Sequence, residues 1–343
     1  MSSSPGQVAA APVVSTSPTN ASGEEHITAV PAAEETDNES QAETESILSS
    51  STASLTESIT EYRRLHGRTY TQKIDYWGPN DERQNEGLDI NHYWVTLFLN
   101  DKLCLSPIGD SPQNVLDVGT GTGIWAIDFA DEFPSAEVIG VDISPIQPSW
   151  VPPNCKFNID DIEQPWTFPD NFFDLVHIRD LQGSVSDWTA LYKQAFAAIK
   201  PGGYIEVKES EIECHCQLLD LPENHIFRDW RKFLSQACEK LGKVASQAHP
   251  DKHGIAKALQ EAGFVDIVEK KWPIPIGGWA RDSLLQEVGI SSLQFLDQSI
   301  EGFATFLLKE VLGWEYAEVV VFISEARKAL RDAKTQPFFY LWC

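Results

Sequence analysis

A run of glycines between two acidic residues is the part of the sequence whose residue types and spacing most clearly indicate chemistry. The run follows Val115-Leu116-Asp117-Val118 and reads Gly119-Thr120-Gly121-Thr122-Gly123, and Asp142 closes the next apolar segment. Glycines allow a sharp turn and a close approach of the backbone to a ligand, which a Cβ would block. The pattern predicts a strand, a tight turn and a helix at a nucleoside site, with Asp142 placed to accept hydrogen bonds from two ribose hydroxyls.

The spacing of the glycines separates two classes of nucleotide ligand. Dinucleotide sites favour G-x-G-x-x-G, whereas this turn reads G-x-G-x-G and continues with the bulky residues Ile124 and Trp125. The carboxylate of Asp117 would repel a pyrophosphate, but it would attract a cofactor that carries an ammonium and a sulfonium. We therefore predict S-adenosylmethionine as the cofactor. The alternative is a tight turn between strand and helix that binds no ligand.

Short apolar segments alternate with helical ones along the middle of the chain. Asp187 is the predicted N-cap of the second helix, and Pro201-Gly202-Gly203 is its predicted end. The alternation predicts parallel βαβ units and a doubly wound sheet. The predicted strands cover 114–119, 136–144, 155–162, 172–179 and 202–210, and the predicted helices cover 123–134 and 187–203.

Beyond residue 210 the alternation ends and helices predominate. We predict helices over 224–243, 252–262 and 315–333, a helical insertion over 281–312, and strands over 263–272 and 337–343. A further buried helix is predicted upstream, over 90–104. The segments 224–243 and 281–312 lie where a doubly wound fold usually carries a cap over its substrate, an expectation that rests on analogy between folds.

The run from Val115 to Phe168 resembles the fungal LaeA-like methyltransferases, within the class I methyltransferase superfamily. The segments HIRDLQGSVSDW (177–188) and IKPGGYIEVKE (199–209) continue the resemblance, as do NHYW (91–94), AGFVDI (262–267) and IGGW (276–279). It covers roughly residues 62 to 343. It implies a Rossmann-like α/β fold with a mostly parallel, seven-stranded sheet, helical cap insertions and an antiparallel last strand, which residues 337–343 would supply.

The resemblance also implies how the cofactor would lie in the glycine turn. The glycines and threonines of the turn, residues 119–123, would line its methionine part, and Asp117 would lie near the amino group. Asp142 would hold the ribose hydroxyls, and Ile143 would pack on the adenine.

The end of the third strand would complete the adenine pocket, and the fourth strand would face the methyl group. The resemblance places Asp161 at the adenine amino group and Ile162 against the ring, with Asp160 as the alternative to Asp161. His177 and Arg179 would face the zone of methyl transfer.

Methyl transfer to a good nucleophile needs alignment and exclusion of water more than it needs a catalytic triad. His177 is the candidate base, and a purely positioning role is the alternative. Arg179 is the candidate clamp for an anionic substrate, or else the ion-pair partner of Asp180 or Asp174. Glu206 and Glu209 alternate with Val207 and Lys208 along the fifth strand, so one of the two acids could point into the crevice. The role that we expect for them is a salt bridge at the surface.

Composition excludes several other classes of protein. A net charge of −25 without a basic cluster argues against nucleic acid as a partner, and no apolar stretch of eighteen residues exists to span a membrane. The six cysteines are scattered, as in a reduced cytoplasmic protein. Cys214-His215-Cys216, together with His249 and His253, has the wrong spacing for zinc, so we expect no metal.

The chain divides into an N-terminal tail and one catalytic domain. Residues 1–60 are acidic, rich in Ser, Thr and Glu, and free of Lys, Arg and aromatic residues, so we expect them to be disordered. Residues 61–343 would form the methyltransferase domain, with a cofactor-binding half at 114–210 and the cap helices and remaining sheet elements at 211–335.

Two functions are compatible with these features. The first is methyl transfer to a hydroxyl or nitrogen of a small molecule in fungal secondary metabolite biosynthesis. The alternative is a LaeA-type nuclear regulator of secondary metabolism, which would act through protein partners or protein methylation and for which the acidic tail would be a docking segment.

Overall fold

A central sheet with helices on both faces organises the part of the chain that the computed structural model describes, namely residues 62–72, 76–246 and 254–343. The predicted tail at 1–60 lies outside the described residues, as do His249 and His253. The prediction of disorder in the tail therefore stays a prediction.

The described elements follow one another in the order expected for alternating strands and helices. The strands are β1 (Arg63–Leu65), β2 (Arg68–Tyr70), β3 (Asn114–Val118), β4 (Glu137–Asp142), β5 (Cys155–Ile159), β6 (Phe173–Arg179), β7 (Ile199–Ser210), β8 (His215–Cys216), β9 (Lys271–Pro275) and β10 (Pro337–Trp342). The helices are α1 (Glu82–Phe98), α2 (Ile124–Glu132), α3 (Trp188–Ala198), α4 (Ile226–Lys240), α5 (Gly254–Ala262), α6 (Ser283–Thr305) and α7 (Tyr316–Leu330). Within the described ranges, no helix is both long and apolar enough to cross a membrane.

The strand order of the central parallel strands is that of a doubly wound α/β fold. Strands β5-β4-β3-β6-β7 are parallel neighbours in that order. Strand β10 pairs antiparallel with both β7 and β9, and the two-residue β8 adds a short ladder at its beginning. The prediction of a mostly parallel sheet of about seven strands with an antiparallel last strand is confirmed, and the two-residue β8 is an eighth strand of the described sheet.

Alternating side chains bind one layer of helices to each face of the sheet. Val115 of β3 packs with Trp125 and Phe129 of α2. Its neighbour Leu116 lies in a second core, on the opposite face, which α3 and α5 complete. Because side chains alternate along a strand, Asp117 shares the α2 face with Val115. The acidic residue of the glycine motif is thereby directed into the interior beneath α2.

A third hydrophobic core joins the cap to the sheet. Helices α4, α6 and α7 contribute to it, and α1 packs along α6. Helix α6 continues directly into a π-helical segment, Phe306–Val311, whose first three residues are buried in this core. The predicted cap segments 224–243 and 281–312 therefore do form helices that pack together.

The predicted strand at 263–272 is wrong. That segment is largely irregular, with Val265 80% and Val268 73% exposed, and the strand β9 begins only at Lys271. Strand β9 contains Pro273 and Pro275, and proline lacks the N–H that a central strand needs, so the sequence pattern did not indicate a strand there. Among the described strands, β9 pairs only with β10, at the edge of the sheet, where proline is tolerated.

Two predicted helices have different ends in the structure. Helix α1 begins at Glu82, after the N-cap Asp81, and stops at Phe98 instead of covering 90–104. Its first turns are polar, so they lack the apolar density used to predict it. Helix α3 does begin after the predicted cap Asp187, whose carboxylate accepts from the Ala190 N–H at 2.9 Å, but it ends at Ala198 and not at residue 203.

Substitution by alanine should cost different amounts of folding stability at the two glycines on either side of Thr122. Both have a left-handed backbone, φ +82° at Gly123 and +58° at Gly121. A Cβ at Gly123 would overlap the Phe157 ring, whereas one at Gly121 would meet only Leu88, at 3.5 Å. We expect Gly123→Ala to lower the free energy of unfolding by about 2–4 kcal/mol and Gly121→Ala by about 1 kcal/mol. Urea denaturation of the cofactor-free chain measures both, and equal losses would contradict the packing argument.

Candidate active site

A cleft opens at the carboxyl ends of β3, β4 and β6, and it collects most of the predicted site residues. Every predicted residue lines it except Gly123 and Asp160. The predicted residues in its wall are Asp117, Gly119, Thr120, Gly121, Thr122, Asp142, Ile143, Asp161, Ile162, His177 and Arg179. The remaining wall is formed by Tyr76, Trp77, Leu88, Asn91, Ile124, Glu163, Asp180, Leu181, Gly183, Ser184 and Lys243.

Asp142 is held in place by the backbone around it. Its Oδ2 accepts from the N–H of Gly121 at 2.8 Å, and its Oδ1 accepts from the N–H of Ser144 at 2.9 Å. The carboxylate thus ties the end of β4 to the glycine turn. Burial raises the pKa of Asp142 to about 6, and the nearby charge of Asp117 acts in the same direction.

Asp117 is joined to His177 beneath the first turn of α2. Its Oδ2 accepts from the Thr120 hydroxyl at 2.6 Å, and its Oδ1 lies 2.7 Å from His177 Nδ1. The His177 ring stacks on Trp125, with ring centroids 3.8 Å apart and planes 7° from parallel. Burial raises the pKa of Asp117 to about 6.

His177 is an uncharged ring in this setting. Burial, and then the charges of Lys208 and Arg179, lower its pKa well below the ordinary value of 6.5. Its side chain is only 1% exposed, and its Nε2 meets no hydrogen-bond partner among the described residues. The neutral ring donates Nδ1–H to Asp117, which fixes its tautomer.

The expectation that Glu206 and Glu209 are salt-bridged at the surface is wrong about the surface, because the structure buries both, and only Glu206 of the two has an ion-pair partner among the described residues. Glu206 lies beside His177 in the sheet, forms an ion pair with the buried Lys208, and accepts from two backbone N–H groups of the loop before β3. Glu209 accepts from the N–H groups of Leu181 and Gln182 at 2.9 and 3.0 Å. Glu209 therefore fixes the loop after β6, which forms part of the cleft wall.

Arg179 forms no ion pair with Asp180 or with Asp174, the two partners that the sequence offers. Asp174 pairs with Lys200, and Asp180 accepts from Asn91 instead. Arg179 Nη1 lies 3.1 Å from Nδ1 of His92, whose Nε2 contacts Asp128. In the described part of the chain, no carboxylate forms an ion pair with this guanidinium, which stays available at the cleft wall.

The structure separates the two candidate acids at the adenine end. Asp161 lines the cleft, where its Oδ1 accepts from the Glu163 N–H at 3.0 Å, whereas Asp160 is exposed and lies outside it. Glu163 forms an ion pair with Lys243 at the cleft wall. Gly123 also lies outside the cleft, and its missing side chain leaves room for the Phe157 ring.

A second, largely apolar cavity adjoins the cleft under the cap helices. The empty space of this cavity, counted together with the solvent at its open mouth, is about 1290 Å³. Its apolar wall includes Phe227, Trp230, Phe295, Phe303 and Phe339. Six residues line both spaces, so the cleft and this cap cavity meet along a common wall formed by Tyr76, Trp77, Leu88, Asn91, Asp180 and Gly183.

Sequence reasoning missed the residues at this junction. Asp180 follows β6 directly, with φ +53°, and its carboxylate accepts from Asn91 Nδ2 at 2.7 Å and from the Ser210 N–H at 3.2 Å. Its position at the carboxyl end of a central strand, like that of Asp142, is a signal that would have found it. Trp77, whose Nε1 donates to the Gly183 carbonyl at 2.9 Å, precedes every recognisable motif and has no such signal.

Within the described residues, the segment around Cys214 brings two acids and a histidine together. Ligand atoms of Glu211, Glu213 and His215 lie within 4.8 Å of one another. His215 pairs with Glu211 at 3.0 Å, and Arg231 pairs with Glu213 at 2.8 Å. These contacts give the acids cationic or hydrogen-bonding partners within the protein.

Comparisons with known proteins identify relatives of this chain. A family model described as a methyltransferase domain matches residues 92–269. The methyltransferase pytC of Aspergillus terreus is 38% identical over 287 residues, which cover 82% of this chain and 87% of that protein. The chain therefore belongs to the methyltransferase family, and its cofactor is S-adenosylmethionine.

Two further proteins are similar to this chain. The secondary metabolism regulator LAE1 of Cochliobolus heterostrophus is 33% identical over 275 residues, covering 78% of this chain and 88% of that one. A phosphoethanolamine N-methyltransferase of Haemonchus contortus, solved with S-adenosyl-L-methionine, aligns with a TM-score of 0.47 at 17% identity, over 80% of this chain and 60% of that chain.

The buried pair of His177 and Asp117 makes a direct prediction for the imidazole. We expect His177 to keep Nδ1 protonated and Nε2 unprotonated at and somewhat below its ordinary pKa of 6.5, because burial and two nearby cations oppose a second proton. Nitrogen-15 NMR of selectively labelled protein reports the charge and tautomer of the ring. His177→Phe, which keeps a ring under Trp125, identifies the signal by its loss. An imidazolium signal for His177 near neutral pH would contradict the assignment.

Proposed function

We propose that this chain transfers the methyl group of S-adenosylmethionine to a nitrogen or hydroxyl of a small, largely apolar molecule. The cofactor supplies a methyl group on a positively charged sulfur, which makes that methyl an electrophile. What the chain adds is alignment of the acceptor, removal of water and a place for a proton.

The observation that carries the proposal is the pair of acidic groups in the cleft. Burial raises the pKa of both Asp117 and Asp142, and the charge of Asp117 raises the pKa of Asp142 further. A ligand with an ammonium, a sulfonium and donating hydroxyls relieves this repulsion, whereas a pyrophosphate would add to it. The residues present therefore fit the sulfonium nucleoside and oppose a dinucleotide.

Individual roles follow from the positions in the cleft. Asp142, already fixed by two backbone N–H groups, would accept from the ribose hydroxyls, and Asp161 with Ile162 would receive the adenine. Arg179 has no carboxylate partner in the described chain, which supports a role in holding the cofactor carboxylate and not the substrate clamp first considered for it. His177 would act as a positioning residue that holds Asp117.

The proton acceptor that the geometry favours is Asp180. It lies on the wall common to the cleft and the cap cavity, where an acceptor molecule and the methyl group would meet. Asn91 and the Ser210 N–H orient its carboxylate. The buried His177 is occupied by Asp117 and Trp125, so it is the weaker candidate for a base.

Relatives support a place in fungal secondary metabolism. One is named as a methyltransferase and another as a regulator of secondary metabolism. The largely apolar cap cavity beside the cofactor cleft favours a small-molecule enzyme, for which a cytoplasmic location is expected. A nuclear regulator that methylates or docks on proteins is the second candidate, supported by the 33% identity to LAE1; residues 1–60 would then serve as its docking segment.

Two neighbouring acids test the cofactor assignment as a matched pair. We expect Asp142→Ala to weaken the binding of S-adenosylhomocysteine at least tenfold, because charge-assisted hydrogen bonds of about 1.5–3 kcal/mol are lost. Asp160→Ala removes the same chemical group from outside the cleft and should change affinity by less than about twofold. Calorimetry on both variants measures the difference. Equal losses, or unchanged binding to Asp142→Ala, would exclude the proposed ribose contact.

The raised pKa values predict how cofactor affinity depends on pH. Both carboxyls are ionised above about pH 6, where they accept hydrogen bonds and attract cations, and both take up protons below it. Affinity should therefore be level above about pH 6 and fall as the pH drops, by up to about tenfold per pH unit for each carboxyl that must lose its proton. Titration calorimetry at several pH values measures the slope. Asp142→Asn should make it shallower, and a slope of the opposite sign would refute the assignment.

A further inference from the structure

The cap cavity has a polar floor at one end of an otherwise apolar space. The floor is formed where β6 and β7 end and where α1 passes over them, next to Asp180. It carries Asn91 of α1, Gln182 after β6, and Ser210 and Glu211 at the end of β7. The aromatic residues of the cap form the rest of the wall.

Oxygen atoms of this floor lack hydrogen-bond partners among the described residues. They are Asn91 Oδ1, Gln182 Oε1, Ser210 Oγ and Glu211 Oε1. Asn91 is 3% exposed and Glu211 is 5% exposed. The orientation of Asn91 is fixed because its Nδ2 donates to Asp180, which leaves its oxygen for another donor. Unpartnered buried oxygens of this kind are costly unless water or a ligand supplies donors.

The charges around the floor have one sign. Asp180 and Glu211 are the charged residues in the lining of the cap cavity, and its described wall contains no Lys, Arg or His. Arg179 and Lys243 line the cofactor cleft instead. His215 contacts only the other oxygen of Glu211, Oε2, at 3.0 Å. A ligand head group here is met by acceptors and negative charge.

We propose that the methyl acceptor is an apolar amine, whose basic nitrogen lies on this floor between Asp180 and Glu211 while its apolar body fills the cap. This inference rests on the proposed methyltransferase function and specifies its substrate class. The acceptors match N–H donors, and the two carboxylates favour a cation over a neutral or anionic head group. The reaction is then an N-methylation.

The step balances with groups already present. The ammonium gives one proton to the Asp180 carboxylate, from which it passes to solvent. The freed lone pair of the nitrogen forms a bond to the methyl carbon as the carbon–sulfur bond breaks, and the electron pair of that bond stays on sulfur. The positive charge moves from sulfur to the methylated nitrogen, so no further reactant is needed.

The test compares three ligands that share one apolar body and differ in the head group. They are a naphthylethylamine, the matching naphthylethanol and naphthylacetate, titrated into the full-length chain without cofactor. We expect the amine to bind about tenfold or more tightly than the alcohol, and the acid to bind most weakly, as expected for a charge-assisted contact. Calorimetry gives the three affinities on the unaltered protein, so the result does not depend on whether a variant folds.

Two variants then locate the head group. Glu211→Gln should reduce the advantage of the amine over the alcohol to less than about threefold. Glu213→Gln removes an equal charge two residues away, from a side chain paired with Arg231 outside the cavity, and should leave the advantage intact. The thermal midpoints of both variants confirm that each is folded.

The outcomes separate the substrate class from the function. The proposed substrate class is wrong if the alcohol or the acid binds as tightly as the amine, if none of the three binds at millimolar concentration, or if Glu211→Gln leaves the ratio unchanged. Titration of S-adenosylhomocysteine into the same protein tests the proposed methyltransferase function separately. Its binding alongside a failed amine series would leave methyl transfer standing and overturn only the amine, whereas its failure would contradict the proposed function.

Discussion

The contact between Asp117 and His177 beneath Trp125 is the constraint on which the cofactor end of the sheet depends. A site for a cationic nucleoside needs carboxylates at the strand ends, yet burying a carboxylate is costly unless other groups satisfy it. The chain meets this requirement with a row of side chains across β3, β6 and β7, in which Asp117, His177 and Glu206 are successive neighbours. Lys208 and backbone N–H groups complete the row. The edge facing the ligand is therefore stabilised by paired polar groups where most sheets have apolar packing.

Much of the cofactor half could be predicted from the sequence, because its signals are local. A glycine turn after one strand and an acid at the end of the next define a fixed arrangement once the strands are parallel, and Asp142 is held against Gly121 in that way. The same reasoning gave the order of elements from β3 to β7. It misjudged Glu206 and Glu209, because a strand pattern shows alternation but not which loop covers each face. Only the folded chain shows that the loop before β3 and the loop after β6 satisfy these two acids.

The cap half was less accessible to sequence reasoning. Its cavity combines side chains from α1, α4, α6 and the strand ends, which are far apart in the chain and share no spacing. Helix α1 carries polar residues such as Asn91 on a buried face, so its beginning has no apolar periodicity. Strand β9 contains two prolines that only an edge position permits. These features are set by tertiary neighbours, and neighbours at long sequence separation leave no local pattern.

Helix α1 gives the molecule a property that neither cavity has alone. It packs along α6 of the cap, while its Leu88 and Asn91 border both the cofactor and the cap cavity. If one ligand displaces helix α1, the affinity for the other ligand changes as well. Thermodynamic linkage then requires the two affinities to change by the same factor, whichever guest arrives first. Demethylated cofactor that keeps α1 in place would accordingly change the affinity for the methylated product by the same factor by which the product changes the affinity for that cofactor.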